Sequence, residues 1–268
     1  MGKVSNEDRE TFKNSSKQYT EIINSELKKE KEILAAIKKD PSCAVRKKFE
    51  LAEQMCYIAS LYNAINTASV RIMDNVKNND ALNDARKILY KALIYLEEMV
   101  TNIVDSSPSD LTENMEAIEE ISLEQRYFLV RKLGLAIQMV IDAFGDNSKW
   151  KWSFVEINGR FAVVAKNMFD FKNYVKAYFD PSSPDNENAI LYIRLIKTLL
   201  DKSADAYRNK YELSSRRMDD MQAAINFVMA LRQVCVALNE SDDAEELKKK
   251  AGTWNERMKA DRKSGKNS

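Results

Sequence analysis

No histidine occurs among the 268 residues of this chain. Nucleophilic triads and dyads that depend on an imidazole base cannot form within it, and neither can zinc or di-iron sites that depend on imidazole ligands. The six glycines are isolated from one another, and none belongs to a phosphate-binding loop. These absences predict a protein that is not an enzyme and that holds neither a metal nor a cofactor.

Cysteine is also scarce, with Cys43, Cys56 and Cys235 scattered along apolar stretches. An odd number of dispersed cysteines indicates reduced, buried thiols rather than disulfides or a cysteine-only metal site. The N-terminus lacks the apolar core of a secretory signal, and no apolar run reaches the roughly 18 residues needed to span a bilayer. We therefore expect a cytoplasmic protein that does not contact a membrane.

The low content of glycine and proline defines the fold class. Six glycines and four prolines provide too few turns for a β-rich or doubly wound α/β fold of this length. Charged residues make up 31% of the chain and hydrophobic residues 44%, a mixture that suits amphipathic helices. We predict an all-α protein of about eight long, coiled-coil-like amphipathic helices. They are expected to pack as antiparallel hairpins in a helical bundle or a short helical-repeat-like array.

Capping residues and loops give the expected helix boundaries. Ser5 with Asp8 forms a capping-box pattern, and Asp40 precedes a proline at a helix start. Residues 105–109 read as a loop, and Asp110 with Glu113 is expected to cap the helix that follows. The expected helices cover approximately residues 5–39, 41–77, 80–103, 110–144, 149–180, 183–213, 215–238 and 241–258.

The aromatic stretch 149–180 carries two competing signals. Apolar residues recur at alternating steps of four and three, which predicts a helix, whereas Asn158-Gly159 is a hairpin signal. We favour the helix, in which Gly159 would allow a close helix crossing or a kink. Its aromatic residues read either as core or as a partner-binding surface. For the second reading the candidate residues are Trp150, Trp152 and Phe154.

The expected domain organisation is a four-helix N-terminal bundle at 1–145, a four-helix C-terminal bundle at 146–258, and a basic flexible tail at 259–268. The candidate boundaries are the loop at 105–109 and the Gly145-Asp146-Asn147 turn signal, and we favour the second.

Nine acidic residues and no basic residue occur between Glu97 and Glu124. Glu113, Glu116 and Glu120 are spaced by three and four, which would place them on one helix face. Such a face is simply solvated, or it contacts a basic partner or the protein's own basic regions. A hard cation would need the same carboxylates. We interpret it as a surface rather than a metal site.

Two groups of basic residues could bind an anion. Arg216 and Arg217 lie near the start of a predicted helix and are candidate partner-binding residues that could pair with an anion. The C-terminal region is basic as well, with Lys248, Lys249, Lys250, Arg257, Arg262 and Lys263 as candidate phosphate contacts. The overall charge is only +1, however, so charge alone does not indicate a nucleic-acid-binding protein.

Together these features predict a non-enzymatic helical scaffold or adaptor that mediates protein–protein interaction and associates with itself. The alternative is a helical protein that binds nucleic acid or phosphate through the basic N-terminal turn and C-terminal tail.

Overall fold

The structure, a computed structural model, describes residues 4–145 and 148–265. All regular secondary structure in these two ranges is helical, which confirms the predicted all-α class. The described chain contains ten α-helices rather than about eight. They are α1 Asn6–Lys39, α2 Ala44–Ile72, α3 Asn79–Val100, α4 Thr112–Ala117, α5 Leu123–Phe144, α6 Lys151–Asn167, α7 Phe171–Phe179, α8 Asn186–Lys210, α9 Met218–Ala237 and α10 Ser241–Lys263.

The two additional helices arise because two predicted helices are each broken once. The expected helix 110–144 is α4 and α5, and Ser122 starts the second part by exchanging backbone-to-side-chain bonds with Gln125. The expected helix 149–180 is α6 and α7, and the Asp170 side chain caps α7 by accepting from the Asn173 amide. The prediction of single helices was wrong here because a polar N-cap residue restarts the chain in a new direction.

The predicted start of α1 is confirmed. The Ser5 hydroxyl accepts from the Asp8 amide at 3.0 Å while the Asp8 carboxylate accepts from the Ser5 amide at 3.0 Å. The Ser5 hydroxyl also donates to the Asp8 carboxylate, and the bonds from this hydroxyl and from the Ser5 amide lower the pKa of Asp8. Asp40 caps the short 3₁₀ turn Pro41–Cys43, which leads directly into α2. The expected cap of Asp110 with Glu113 was wrong, because Asp110 accepts from the amide and the hydroxyl of Ser107 instead.

The helices group into two compact units. The first comprises Met1–Met99 and Phe128–Lys149, and the second comprises Val100–Tyr127 and Trp150–Ser268. Helix α5 therefore contributes its first five residues to the second unit and the rest to the first. The division into helical bundles at 1–145 and 146–258 stays a prediction. Asp146 and Asn147, at its proposed boundary, lie outside the described residues.

In the first unit, α1 packs against α2 and is joined to α3 by a buried carboxylate. Glu30 is only 4% exposed, and it accepts from the Lys91 ammonium at 2.9 Å and from the Tyr95 hydroxyl at 2.6 Å. Burial and the bond to Glu30 raise the pKa of Tyr95. Because most of α1 is exposed, this polar contact supplements the small apolar surface that the helix buries.

In the second unit, α8 packs against α6, α7 and α9, and α9 packs against α10. Gly159 of α6 lies at a close crossing, since a Cβ there would be 2.7 Å from Tyr207 Cε2 and 3.2 Å from Phe227 Cζ. Those two rings stack with centroids 5.5 Å apart. The predicted role of Gly159 in a close helix crossing is confirmed.

Helix α10 continues to Lys263, so part of the segment expected to be a flexible tail is helical. The last three residues of the predicted tail, 266–268, lie outside the described residues. None of the described helices is long and apolar enough to cross a membrane.

Candidate protein-binding face

The segment between α3 and α5, residues 101–122, is mostly irregular and carries most of the acidic residues noted in the sequence. It enters with Thr101 in the left-handed region, at φ 69°. Apolar residues anchor it from below: Leu111, Ile118 and Ile121 are each at most 2% exposed. An irregular segment leaves many backbone carbonyls without helical partners, and buried carbonyls need donors.

Arg126, at the start of α5, supplies donors to this segment. Its side chain is 2% exposed, and it donates to the carbonyls of Ile118 and Ile121 at 2.7 Å each and to that of Met168 at 3.3 Å. Burial lowers the pKa of Arg126, although a guanidinium remains charged at any physiological pH. Within the described residues no carboxylate forms an ion pair with this buried cation.

Lys166 and Asn167, at the end of α6, hold the other half of the segment. The Lys166 ammonium is buried and donates to the carbonyls of Val104 and Ser106 at 2.9 and 2.8 Å and to the Asn167 amide oxygen. The Asn167 amide nitrogen donates to the carbonyls of Thr101 and Ile103, both at 3.2 Å. Burial lowers the pKa of Lys166 to about 8, and nearby carboxylates offset part of that shift.

The carboxylates of this segment and of the first turn of α5 are exposed, and we call this set the acidic face. None of them forms an ion pair with a lysine or arginine among residues 4–145 and 148–265, although Asp110 accepts from Ser107. The acidic face consists of Asp105, Asp110, Glu113, Glu116, Glu119, Glu120 and Glu124. Three buried side chains thus hold the backbone by six carbonyls, while the carboxylates are exposed to solvent and form no ion pair within the described residues.

A cavity of about 360 Å³ opens beside the acidic face. Glu116, Glu119 and Asp170 line it with carboxylates, and Met115 and Tyr174 contribute apolar and aromatic surface. Pro108, Thr112, Arg126, Lys172 and Asn173 complete the lining. The Arg126 guanidinium already donates to three backbone carbonyls. The charged groups in the cavity that remain available to a ligand are therefore predominantly carboxylates.

The three predicted acidic residues all lie on this face, but not on one helix. Glu113 and Glu116 belong to α4, which ends at Ala117, and Glu120 follows it. The prediction of a common helix face was therefore wrong, because Ser122 restarts the helix as α5. All three side chains are exposed, and Glu116 also lines the cavity.

The predicted aromatic residues lie elsewhere in the second unit. Phe154 is buried in its core, and Trp150 and Trp152 are half-buried at the start of α6. Phe161 and Phe169, further along the same stretch, are also buried. We therefore leave this group out of the candidate face.

The two predicted arginines lie at the junction of α8 and α9. Arg216 follows a π-helical turn, Tyr211–Ser215, and adopts the left-handed conformation with φ 51°. Arg217 precedes α9, and its guanidinium is 3.1 Å from the Asp219 carboxylate. Both side chains are exposed, but they do not lie on the acidic face.

The predicted basic residues of the C-terminal region lie on α10, and half of them are engaged. Lys250 is 3.5 Å from Asp201 and 3.3 Å from Asp205. Arg257 is 3.0 Å from Glu212, and Lys248 pairs with Glu245 at 3.4 Å. Lys249, Arg262 and Lys263 are exposed and form no ion pair within the described part of the chain.

Sequence reasoning identified the carboxylates but missed the residues that position them. Arg126, Lys166 and Asn167 carry no motif. The available signal was the placement of Lys166 and Asn167 inside the apolar run from Phe161 to Phe169, where a charged residue is costly unless it is bonded.

The fold and this face define an all-α protein with a carboxylate-rich surface. Residues 8–262 match the model of the TP0443 family, and the chain belongs to that family. No curated protein and no solved structure matches the chain.

Proposed function

We propose that this protein is a non-enzymatic helical scaffold or adaptor that binds a basic segment of another protein through the acidic face. The observation that carries the proposal is the set of seven exposed carboxylates that form no ion pair within the described residues. Complementary charge across an interface accelerates encounter and disfavours partners of the wrong charge. A lysine- or arginine-rich segment has the charge that this surface selects.

The bonding beneath the acidic face supports binding because it fixes the segment before a partner arrives. Loops that must become ordered on binding lose affinity through the entropy of ordering. Here the carbonyls of residues 101–121 are held by Arg126, Lys166 and Asn167 in the free protein. The conformational entropy of this segment is therefore lost when the protein folds, and not when a partner binds.

The neighbouring cavity gives the proposed partner an anchoring point. Its volume of about 360 Å³ accommodates a long side chain, and Met115 and Tyr174 offer surface for an aliphatic stem. Glu116, Glu119 and Asp170 then surround the cationic end. We expect one lysine or arginine of the partner to occupy this cavity and its neighbours to contact the exposed carboxylates.

The test compares binding of a lysine/arginine-rich peptide by wild-type protein and by a neutralised variant. In that variant Glu113, Glu116, Glu119 and Glu120 are replaced by glutamine. These residues are exposed and unpaired, so the fold should change in stability by no more than about 0.5 kcal/mol per site. We expect peptide binding to weaken at least tenfold, with a lower on-rate and a weaker salt dependence. Equal binding by both proteins would refute the proposal.

A matched control removes the same charge from exposed glutamates elsewhere. Affinity capture from nuclease-treated lysate, read by mass spectrometry, should recover the same partner proteins with the wild type and with the control. The neutralised variant should not recover these proteins. The control substitutions are Glu10→Gln, Glu32→Gln, Glu246→Gln and Glu256→Gln.

Two further readouts separate the alternatives. If the partner is a second copy of the chain, sedimentation velocity will show an oligomer that the neutralised variant abolishes. If the protein instead binds nucleic acid through Lys249, Arg262 and Lys263, oligonucleotide binding will fall steeply with salt and will survive neutralisation of the acidic face. The engagement of Lys248, Lys250 and Arg257 by carboxylates gives this alternative less support.

A further inference from the structure

A second cluster of chemically active side chains lies at the junction of α9 and α10. The thiol sulfur of Cys235 and one carboxylate oxygen each from Glu240 and Asp243 all lie within 4.8 Å of one another. Cys235 is 1% exposed, whereas Asp243 is exposed and Glu240 is intermediate. One sulfur and two oxygens at such separations can be bound by a single ion, because metal–ligand bonds of about 2.0–2.3 Å place ligands of one ion within this range.

The backbone brings these three residues together within nine positions of sequence. Asn239 adopts the left-handed conformation, with φ 59°, and the Glu240 amide donates to the Cys235 carbonyl at 2.9 Å. Glu240 thereby folds back over Cys235, and Asp243 follows in the first turn of α10. The three side chains are therefore brought together by the tight turn between α9 and α10, and not by long side chains that meet across the unit.

A positive charge already sits among these groups. The Lys197 ammonium of α8 is 2.6 Å from a Glu240 oxygen and 3.9 Å from an Asp243 oxygen. The two carboxylates account for the position of the lysine, while the Cys235 thiol donates a hydrogen bond to Glu240. Burial raises the pKa of the Cys235 thiol to about 12, and its hydrogen bond to Glu240 contributes to that rise.

The cluster also opens onto a large cavity in the second unit. The cavity has a volume of about 760 Å³, and its lining includes Cys235, Asp243 and Lys197. It gives an ion from solvent access to Asp243, whose carboxylate oxygen lies within 4.8 Å of the Cys235 sulfur. It also gives the Lys197 side chain room to move away from Glu240.

We propose that Cys235, Glu240 and Asp243 form a binding site for a divalent cation of the borderline class, such as Zn²⁺. Thiolate and carboxylate ligands together suit this class better than Mg²⁺ or Ca²⁺, which prefer oxygen ligands alone. On binding, the Cys235 S–H bond breaks, its proton passes to solvent, and a metal–sulfur bond forms as Lys197 leaves Glu240. Three protein ligands leave a fourth position for water.

The experiment uses Co²⁺ as a spectroscopic probe and Zn²⁺ as a competitor, with the full chain freed of metal and of any histidine tag. Since the chain contains no histidine, other high-affinity sites contribute little background. Wild-type protein should bind one Co²⁺ per chain and show a thiolate-to-cobalt charge-transfer absorption that Zn²⁺ removes. Absence of that absorption at saturating Co²⁺ would overturn the proposal.

Three variants assign the ligands. Cys235→Ser should abolish the charge-transfer absorption, and Asp243→Asn should weaken Co²⁺ binding at least about tenfold. Asp243 is exposed, so its substitution tests the site even if Cys235→Ser fails to fold. Cys56→Ser, at the other buried cysteine, should leave the absorption unchanged. An absorption that persists without the Cys235 thiol, or unchanged affinity in Asp243→Asn, would also overturn the proposal.

Discussion

The two helical glycines of the second unit allow one packing argument to be tested with an internal control. Gly159 lies in α6 at the crossing with Tyr207 and Phe227, whereas nothing lies within 4 Å of the position that a Cβ of Gly252 would occupy in α10. Substitution by alanine makes the same chemical change in the middle of a helix at both places. Only the surroundings of the added methyl group differ.

The expected magnitudes follow from these surroundings. Alanine in place of a helical glycine stabilises a helix by about 1 kcal/mol, so Gly252→Ala should raise the free energy of unfolding by about that amount. At Gly159 the new Cβ would be 2.7 Å from Tyr207 Cε2, and relieving that contact should cost about 1–3 kcal/mol. Gly159→Ala should therefore be about 1–3 kcal/mol less stable than Gly252→Ala.

The assay is urea unfolding followed by tryptophan fluorescence. The three tryptophans, Trp150, Trp152 and Trp254, all belong to the second unit, so the signal reports on the unit that contains both glycines. If Gly159→Ala proves as stable as Gly252→Ala, with the same dependence on urea, the close crossing does not exist as described.

Two predictions concern the buried cations beneath the acidic face. Replacing Arg126 by methionine leaves the carbonyls of Ile118 and Ile121 without their donor. We therefore expect the free energy of unfolding, measured in urea, to fall by at least about 2 kcal/mol, and new protease cleavage to occur within residues 101–122. Protease resistance equal to that of the wild type would contradict this prediction. Burial lowers the pKa of Lys166 to about 8 from 10.5, so between these pH values the unfolded chain binds the extra proton and stability rises with pH. Relative to Lys166→Met, the wild type should gain about 1.5 kcal/mol between pH 8 and pH 9.5, and a difference that does not change with pH would refute the assignment.

The sequence was sufficient to predict the fold class and most helix ends. Scarce glycine and proline, together with apolar residues at helical spacing, left few alternatives to long helices. The Ser5 capping box and the Gly159 crossing were predicted from short-range chemistry and are confirmed. The helix breaks at Ser122 and Asp170 were not predicted, and both omissions have the same cause. The helices on either side of each break still turn an apolar face to the core, so the apolar periodicity of the sequence continues through the break.

The acidic face was predicted only as a charge pattern. Acidic residues between Glu97 and Glu124 are visible in the sequence, but their support depends on carbonyls of an irregular segment meeting Lys166, about 60 residues later. Backbone carbonyls occur at every residue, so no sequence pattern specifies which of them a buried cation will bind. The cluster at Cys235 was missed for a different reason: a single cysteine followed by two carboxylates across a turn matches none of the histidine, repeated-cysteine or helix-spaced carboxylate patterns that predict a metal site.

The order of the chain through the two units has a consequence for biosynthesis. Neither unit is one continuous stretch, since residues 100–127 belong to the second unit and residues 128–149 return to the first. On a ribosome, the first unit cannot be completed until residue 149 has emerged. Residues 101–106 must wait for Lys166 and Asn167, a delay of roughly 3–13 s at about 5–20 residues per second. Until then their carbonyls and the apolar side chains of the segment are exposed, so the nascent chain should be most vulnerable to proteases and most dependent on chaperones in this interval.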